Sequence, residues 1–222
     1  MDTEKAISAR HSVRYFTDQI VSEQDLRELV TAAQQAPSWV NSQPEHIYIA
    51  TGATLETVRQ AQAKLDNAGP NDRLEPSHSD LPVTAREKWS QEAQANMAQW
   101  SAGITTALGQ NGSHLMQQAA AKLYNAPAVV YLTLPSGYSS WSLYDLGAFG
   151  QTLILAAQNR HIDSMTAYQF VKYPNMLRQN LAIPENEQII SGIALGYADK
   201  DAAVNRITAQ REALDQVLKI SN

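Results

Sequence analysis

Ser142 to Asn159 reads SLYDLGAFGQTLILAAQN. Leu143, Leu146, Phe149, Leu153, Ile154 and Ala157 recur at helical spacing. Gly147, Ala148, Gly150 and Ala156 fill much of the remaining surface. A helix that is apolar nearly all round belongs at the centre of a structure. Its small residues let a second backbone pack close. The uncharged run within it, Leu146 to Ala157, is well short of the ~18 residues that cross a bilayer. The stretch therefore reads as a buried helix and not as a membrane span.

Moving toward the N-terminus, Ala128 to Leu132 is a strongly apolar strand, expected to be covered on both faces. Ser113 to Leu123 and Thr84 to Leu108 read as helices, the latter carrying Trp89, Met97 and Trp100, with Gly109 to Gly112 breaking the chain between them. Asn67 to Val83 holds three prolines and Gly69 and reads as a long loop, a type that often serves as a lid or binding segment. Thr54 opens a helix to Leu65, and His46 to Ala50 alternates as a half-buried strand does. Leu26, Leu29, Val30 and Ala33 form a helical face begun by Ser22 as N-cap and closed by Pro37. Residues 3–10 make a further short helix. Toward the C-terminus, 164–167 forms a short strand or loop, Pro174 starts a helix at its tolerated first position, and Gln188 to Leu195 is a strand. A charged tail ends in a helix near 213–220. Neither an internal repeat nor a low-complexity linker interrupts this order. One α+β domain is the simplest account.

The 222 residues, 44% of them hydrophobic and 18% charged, suffice for a core without staples. The absence of cysteine excludes disulfides, thiolate metal sites and a cysteine nucleophile. A net charge of −5 with no basic stripe argues against a nucleic-acid partner. The first residues lack the order of a secretory signal, so a soluble cytoplasmic protein is expected. HExxH, GxSxG, the Walker A loop and GxGxxG are all absent, which removes the common zincin, hydrolase, P-loop and Rossmann readings. Gly192 and Gly196 lie in a strand, where close packing explains them.

Two segments could hold a cofactor. Arg10-His11-Ser12-Val13-Arg14 brings two guanidinium groups and a hydroxyl onto one small surface, the geometry and charge that suit a phosphate. Its other reading is a solvated basic turn. Pro37-Ser38-Trp39-Val40-Asn41-Ser42-Gln43-Pro44 collects neutral donors and acceptors that suit the edge of a heterocycle. Its other reading is a loop built on Asx turns.

The order Arg-x-Ser-x-Arg, a helix, then Pro-Ser-x-x-Asn-x-Gln-Pro resembles the nitroreductase family of flavoproteins. The likeness continues through Ser140-Trp141, Asp145-Leu146-Gly147, Gln151, Leu155-Ala156-Ala157, Ala194 to Asp199, Val204-Asn205-Arg206 and Arg211. It is nearest to the nitrobenzoate and nitrobenzene reductase branch. The resemblance implies a three-layer α+β fold, with a mostly antiparallel central sheet wrapped by helices. It implies a single FMN-binding domain over 1–222 with a helical insertion at about 67–122, and an interlocked homodimer with FMN at the subunit interface. Arg10, His11, Ser12, Arg14 and Arg211 would surround the phosphate and ribityl end. Pro37, Ser38, Trp39, Asn41 and Gln43 would line the flavin from the partner subunit, and Ala167, Tyr168 and Gln169 would back it, offering a backbone N–H to N5.

The implied activity is reduction of a nitroaromatic, or of another small aromatic electron acceptor, by NADPH or NADH. It would be a ping-pong hydride transfer in which no side chain serves as acid or base and no metal takes part. Quinone, enone or free-flavin reduction, and a dimer that binds flavin without catalysis, are the competing readings. Lys122 is a weaker candidate than Arg14 for a cation beside the flavin. Trp89 and Trp100 read as packing residues. Tyr168 and Thr208 depart from the family pattern, the second where a phosphate-side cation is usual.

Overall fold

The computed structural model describes residues 2–69 and 75–221; part of the loop expected at 67–83 therefore lies outside the described residues. Strand β2, Ala128–Pro135, is buried along nearly its whole length. Strands β1 (His46–Thr51), β3 (Asp163–Thr166) and β4 (Glu187–Gly196) complete a sheet in the order β1-β2-β4-β3, with every neighbouring pair antiparallel. A register shift after Leu132 bends the β2–β4 pair.

Alternation along the strands divides the core. Val129, Tyr131, Ile189 and Ala194 pack with Leu55, Val58, Ala119 and Leu177. These come from helices α3 (Gly52–Asn67), α5 (Gly112–Ala121) and α7 (Pro174–Leu181). Val130, Leu132, Ile193 and Leu195 pack with Leu26, Leu29, Phe149 and Leu153, from α2 (Glu23–Ala33) and α6 (Ser140–Asn159). Helices on both faces of one sheet make the three layers that the resemblance implies. Each large apolar side chain sealed in this way contributes roughly 1.5–3 kcal/mol. Ala119 and its neighbour Leu115 belong to the core, so the second half of the insertion is part of the body and not an appendage.

Several boundaries differ from the sequence expectation. Helix α6 begins earlier, because Ser139 and not Ser142 is its cap: the Ser139 hydroxyl accepts from the Ser142 N–H at 3.3 Å. Helix α4 (Gln91–Leu108) begins well after Thr84, capped by Ser90, whose hydroxyl accepts from the Ala93 N–H. Trp89 falls outside that helix, and its indole donates to the Thr84 carbonyl. The tail helix α8 is one turn, Leu214–Val217. The expected cap at Ser22 is present, and Pro174 begins α7 at its first position as expected.

The described end of the long loop is tied down. The Glu75 carboxylate is buried and accepts from the Asn175 and Met176 N–H groups, both at 2.9 Å, capping α7. Asp80 pairs with Arg178 at 2.6 Å and accepts from the Ile189 N–H. A lid was one expectation for this loop, but residues 75–80 fasten it to the body. Among the described residues no helix is long and apolar enough to cross a membrane.

Candidate functional site

Helix α1 (Thr3–Ala9) ends at Arg10, and the chain then runs beside β3. Ser12 forms a parallel bridge with Ser164, and the Val13 N–H donates to the Ser164 carbonyl at 3.1 Å. Val13 and Phe16 are fully buried anchors. This register sets residues 10–14 next to the strand from which the 167–169 loop emerges.

Arg14 is the centre of the arrangement. Its side chain is only 5% exposed. One terminal nitrogen, Nη1, donates to the carbonyls of Ser12 and Ile207, both at 3.0 Å. The guanidinium carbon lies 4.9 Å from the ring centroid of Trp100 on α4. Among the described residues no carboxylate lies within ion-pair distance of Arg14 or Arg10. Burial lowers the Arg14 pKa, the Tyr124 phenol opposes the shift, and the positive charge of Arg10 adds to it. The two arginines are thus electrostatic neighbours. A guanidinium carries five N–H donors, and two here are spent on carbonyls. The described buried polar side-chain atoms without a partner are Tyr131 Oη and Arg178 Nε. The Nε and Nη2 atoms of Arg14, with no hydrogen-bond partner among the described residues, are thus not completely sealed from solvent.

Asn205 holds the backbone at this point. Its amide oxygen accepts from the Arg14 and Tyr15 N–H groups at 2.6 and 3.0 Å, and its amide nitrogen donates to the carbonyls of Tyr15 and Asp199. All the hydrogen-bonding capacity of the side chain is used to fix one bend. The sequence marked Asn205 only by family likeness and gave it no role. Trp100 was read as packing, and its contact with Arg14 joins elements with no sequence signal between them.

The other predicted residues divide. His11 is exposed, with Nδ1 at 3.1 Å from the Ala9 carbonyl. Ala167 lines the core edge, and its N–H donates to the Gly192 carbonyl. That N–H is already committed; Tyr168 and Gln169 open a 3₁₀ turn, where the first N–H groups have no partner within the turn. The Gln169 carbonyl accepts from the buried Gln62 amide. Gly192 has no room for a side chain, since a Cβ would lie 2.4 Å from the Cβ of Phe170, and Gly196 is similarly closed by Pro127 and Phe16. Lys122 is exposed, and its carbonyl accepts from Arg59. Arg211 is not gathered with Arg10 and Arg14: its guanidinium donates to the Ala209 and Gln210 carbonyls of its own tail.

The Pro37–Gln43 loop is positioned by α6. Asp145, buried in that helix, accepts from the Trp39 N–H at 2.8 Å, and Trp39 stacks on Trp141 with centroids 5.1 Å apart. Ser38 accepts from the Gln43 N–H. Val40, Asn41 and Gln43 all have positive φ, a conformation that is strained for a β-branched valine. Yet Trp39 is 57% and Val40 83% exposed. Among the described residues no hydrogen bond or ring contact joins this loop to the arginine segment. The arginine segment and the amide loop are therefore separate features of the single chain.

Residues 7–197 match the family model described as Nitroreductase family. The chain belongs to the nitroreductase family. It is 27% identical over 213 residues to 4-nitrobenzoate reductase of Pseudomonas putida, spanning 95% of this chain and 92% of that protein. It is 25% identical to nitrobenzene nitroreductase of Ectopseudomonas oleovorans, again spanning 95% and 92%. Among solved nitroreductases, the FMN-dependent NfnB from Mycobacterium smegmatis, determined in complex with NADPH, superposes with a TM-score of 0.88 at 28% identity. The match covers 99% of this chain and 97% of that one. This nitroreductase fold thus agrees over nearly its full length with relatives that include the nitrobenzoate and nitrobenzene branch.

Proposed function

We propose that the chain is an FMN-dependent NAD(P)H oxidoreductase that reduces nitroaromatic compounds such as nitrobenzoate, working as a homodimer. The observation that carries this reading is Arg14. A cation removed from water without a counter-charge is costly, and no carboxylate relieves it among the described residues. Its unspent N–H edge, beside Arg10, suits a bound anion, and the FMN phosphate or an electron-rich edge of the flavin meets that need. The residues present fit the cofactor. When bound, FMN supplies hydride chemistry between a nicotinamide and an electron-poor acceptor.

The chain's own part is placement. Arg10, Ser12 and Arg14 hold the anionic end. The Tyr168 and Gln169 N–H groups offer donors to the ring. Pro37, Ser38, Trp39, Asn41 and Gln43 come from the second copy, which is why a strained loop stands exposed on a single chain. Arg211 reaches the phosphate only if the tail turns away from its local carbonyls. The whole chain then acts as one FMN-binding domain, with residues about 67–122 as an insertion. No side chain serves as acid or base.

Purified protein should be yellow, with flavin absorbance near ~450 nm, and initial-rate plots against NADPH at several 4-nitrobenzoate concentrations should be parallel. A colourless protein that takes up no added FMN overturns the reading. Menadione or free FMN outcompeting every nitroaromatic in kcat/KM would retain the oxidoreductase and replace its substrate.

A further inference from the structure

We propose that Trp100, on the insertion helix α4, is a positioning residue that sets the plane of the Arg14 guanidinium so that its free edge meets the bound anion. The inference rests on the FMN reading and goes one step beyond it, by giving the insertion a part in the cofactor site.

The contacts of Arg14 are unequal in what they determine. The two carbonyls, Ser12 and Ile207, both bind Nη1. Two bonds from the coplanar hydrogens of one terminal nitrogen locate that corner and orient the plane, but carbonyl acceptors tolerate a broad range of approach and hold it loosely. The guanidinium carbon lies over the Trp100 ring, 4.9 Å from its centroid. A ring in that position narrows the remaining freedom and adds an attraction that strengthens as water is excluded. What remains without a partner is the Nε–Nη2 edge, the side suited to a two-pronged bond with phosphate or with a carbonyl and nitrogen of a heterocycle.

Helix α4 is held at its C-terminal end, where Leu108 packs against the core and the helix meets α5, whereas Trp100 lies further toward its middle. None of its residues is buried. Met97, Trp100, Ile104 and Leu108 are its partly covered face. Beside Trp100, the Gln99 amide donates to Gln210 at 2.8 Å, linking α4 to the tail that also supplies the Ile207 carbonyl. Tail, insertion and N-terminal segment therefore converge on one guanidinium. Among the described residues, Asp and Glu are absent from the contact set of Arg14, so its charge is met by two neutral carbonyls, the Trp100 ring and the nearby Tyr124 phenol.

The test is a double-mutant cycle on FMN affinity, with flavin-stripped full-length protein titrated with FMN and read by fluorescence. Trp100→Leu should weaken FMN binding roughly 2- to 30-fold, the range of a cation–ring contact from exposed to desolvated. Trp100→Phe should recover most of the loss. In an Arg14→Met background, Trp100→Leu should cost almost nothing further. An equal loss with and without Arg14 would mean that Trp100 merely props the helix, and would overturn the assignment. So would a Phe variant as weak as the Leu variant. Because α4 has no buried residue, truncating Trp100 leaves both halves of the core intact; Trp100→Phe supplies the coupling measurement if the leucine variant is unstable. Failure of the parent protein to bind FMN would instead overturn the functional reading. Binding by the parent with an additive cycle removes only the role of Trp100.

Discussion

At the scale of single residues, two buried polar groups lead to opposite expectations. On the proposed function Arg14 meets the bound anion, so its loss should appear in binding. Arg14→Met should weaken FMN retention about 10- to 100-fold, the equivalent of a hydrogen bond to a charged group, as measured by release of flavin on dilution or gel filtration. Unchanged retention would remove Arg14 from the site. Tyr131 has no such purpose. Its hydroxyl is fully buried without a partner, and burial pushes its pKa well above the ordinary value of about 10. A hydroxyl buried without a hydrogen bond is a cost that phenylalanine avoids. Tyr131→Phe should therefore leave the melting temperature equal or higher at neutral pH. The raised pKa also has a pH consequence. The folded state holds the Tyr131 proton more tightly than the unfolded chain does, so its contribution is complete below about 10 and declines as pH climbs above that toward the folded value. The parent protein should lose stability through that alkaline window, and the phenylalanine variant should lose less. Equal losses in the two would show that Tyr131 is not responsible.

At the scale of elements, the stretch 75–121 is fastened at several points: Glu75 at its start, Gln99 and Trp100 on α4, and Ala119 in the core. The Glu75 carboxylate replaces the missing intrahelical acceptors at the start of α7, where negative charge also meets the positive end of the helix dipole. Glu75→Ala should cost about 1–2 kcal/mol, lowering the melting temperature by roughly 2–8 °C for a chain of this size. A shift within error would mean that water caps α7 equally well. Helix α6 illustrates how element and site are coupled. Asp145 is a buried acid in an otherwise apolar helix, and its use is to hold the Trp39 N–H at the head of the amide loop. The apolar stretch that organises the fold therefore also carries a polar fastening for the site.

At the scale of the whole molecule, a single chain leaves the arginine segment and the amide loop apart and part of α6 uncovered. Trp141, Tyr144, Gly147 and Gln151 form an exposed stripe on a helix whose other face is buried. A second copy against that stripe would cover the aromatic residues and bring the two segments together. Gly147 separates the fold from the assembly. A Cβ added there meets nothing within 4 Å in the single chain, so Gly147→Arg should fold normally by circular dichroism. It should nonetheless sediment nearer to 24.4 kDa than to twice that mass, and lose FMN with the dimer. A stable dimer of this variant that still holds flavin would place the interface elsewhere.

Much of this was legible in the chain alone, because local physics is written locally. The 3.6-residue apolar rhythm of 142–159, the apolar run at 128–132 and the Ser22 cap depend on neighbours in sequence, and they predict α6, β2 and α2 within a few residues. Capping was less legible where several serines compete: Ser139, Ser140 and Ser142 are all acceptable caps by composition, and packing of the first turn selects Ser139. The arginine and amide segments were recognisable as chemistry but not as geometry. Nothing in residues 10–14 states that Arg14 is buried while Arg211 stays with its own tail. Those outcomes depend on Asn205, Ile207 and Trp100, all far along the chain, meeting Arg14 through hydrogen bonds and a ring contact. Composition and periodicity predicted the elements and a single α+β domain; the layers were implied by family resemblance, and the strand order appears only in the structure. Only the closed tertiary structure, in which desolvation and long-range contacts act together, decided which cation is buried and which of its nitrogens bond to carbonyls.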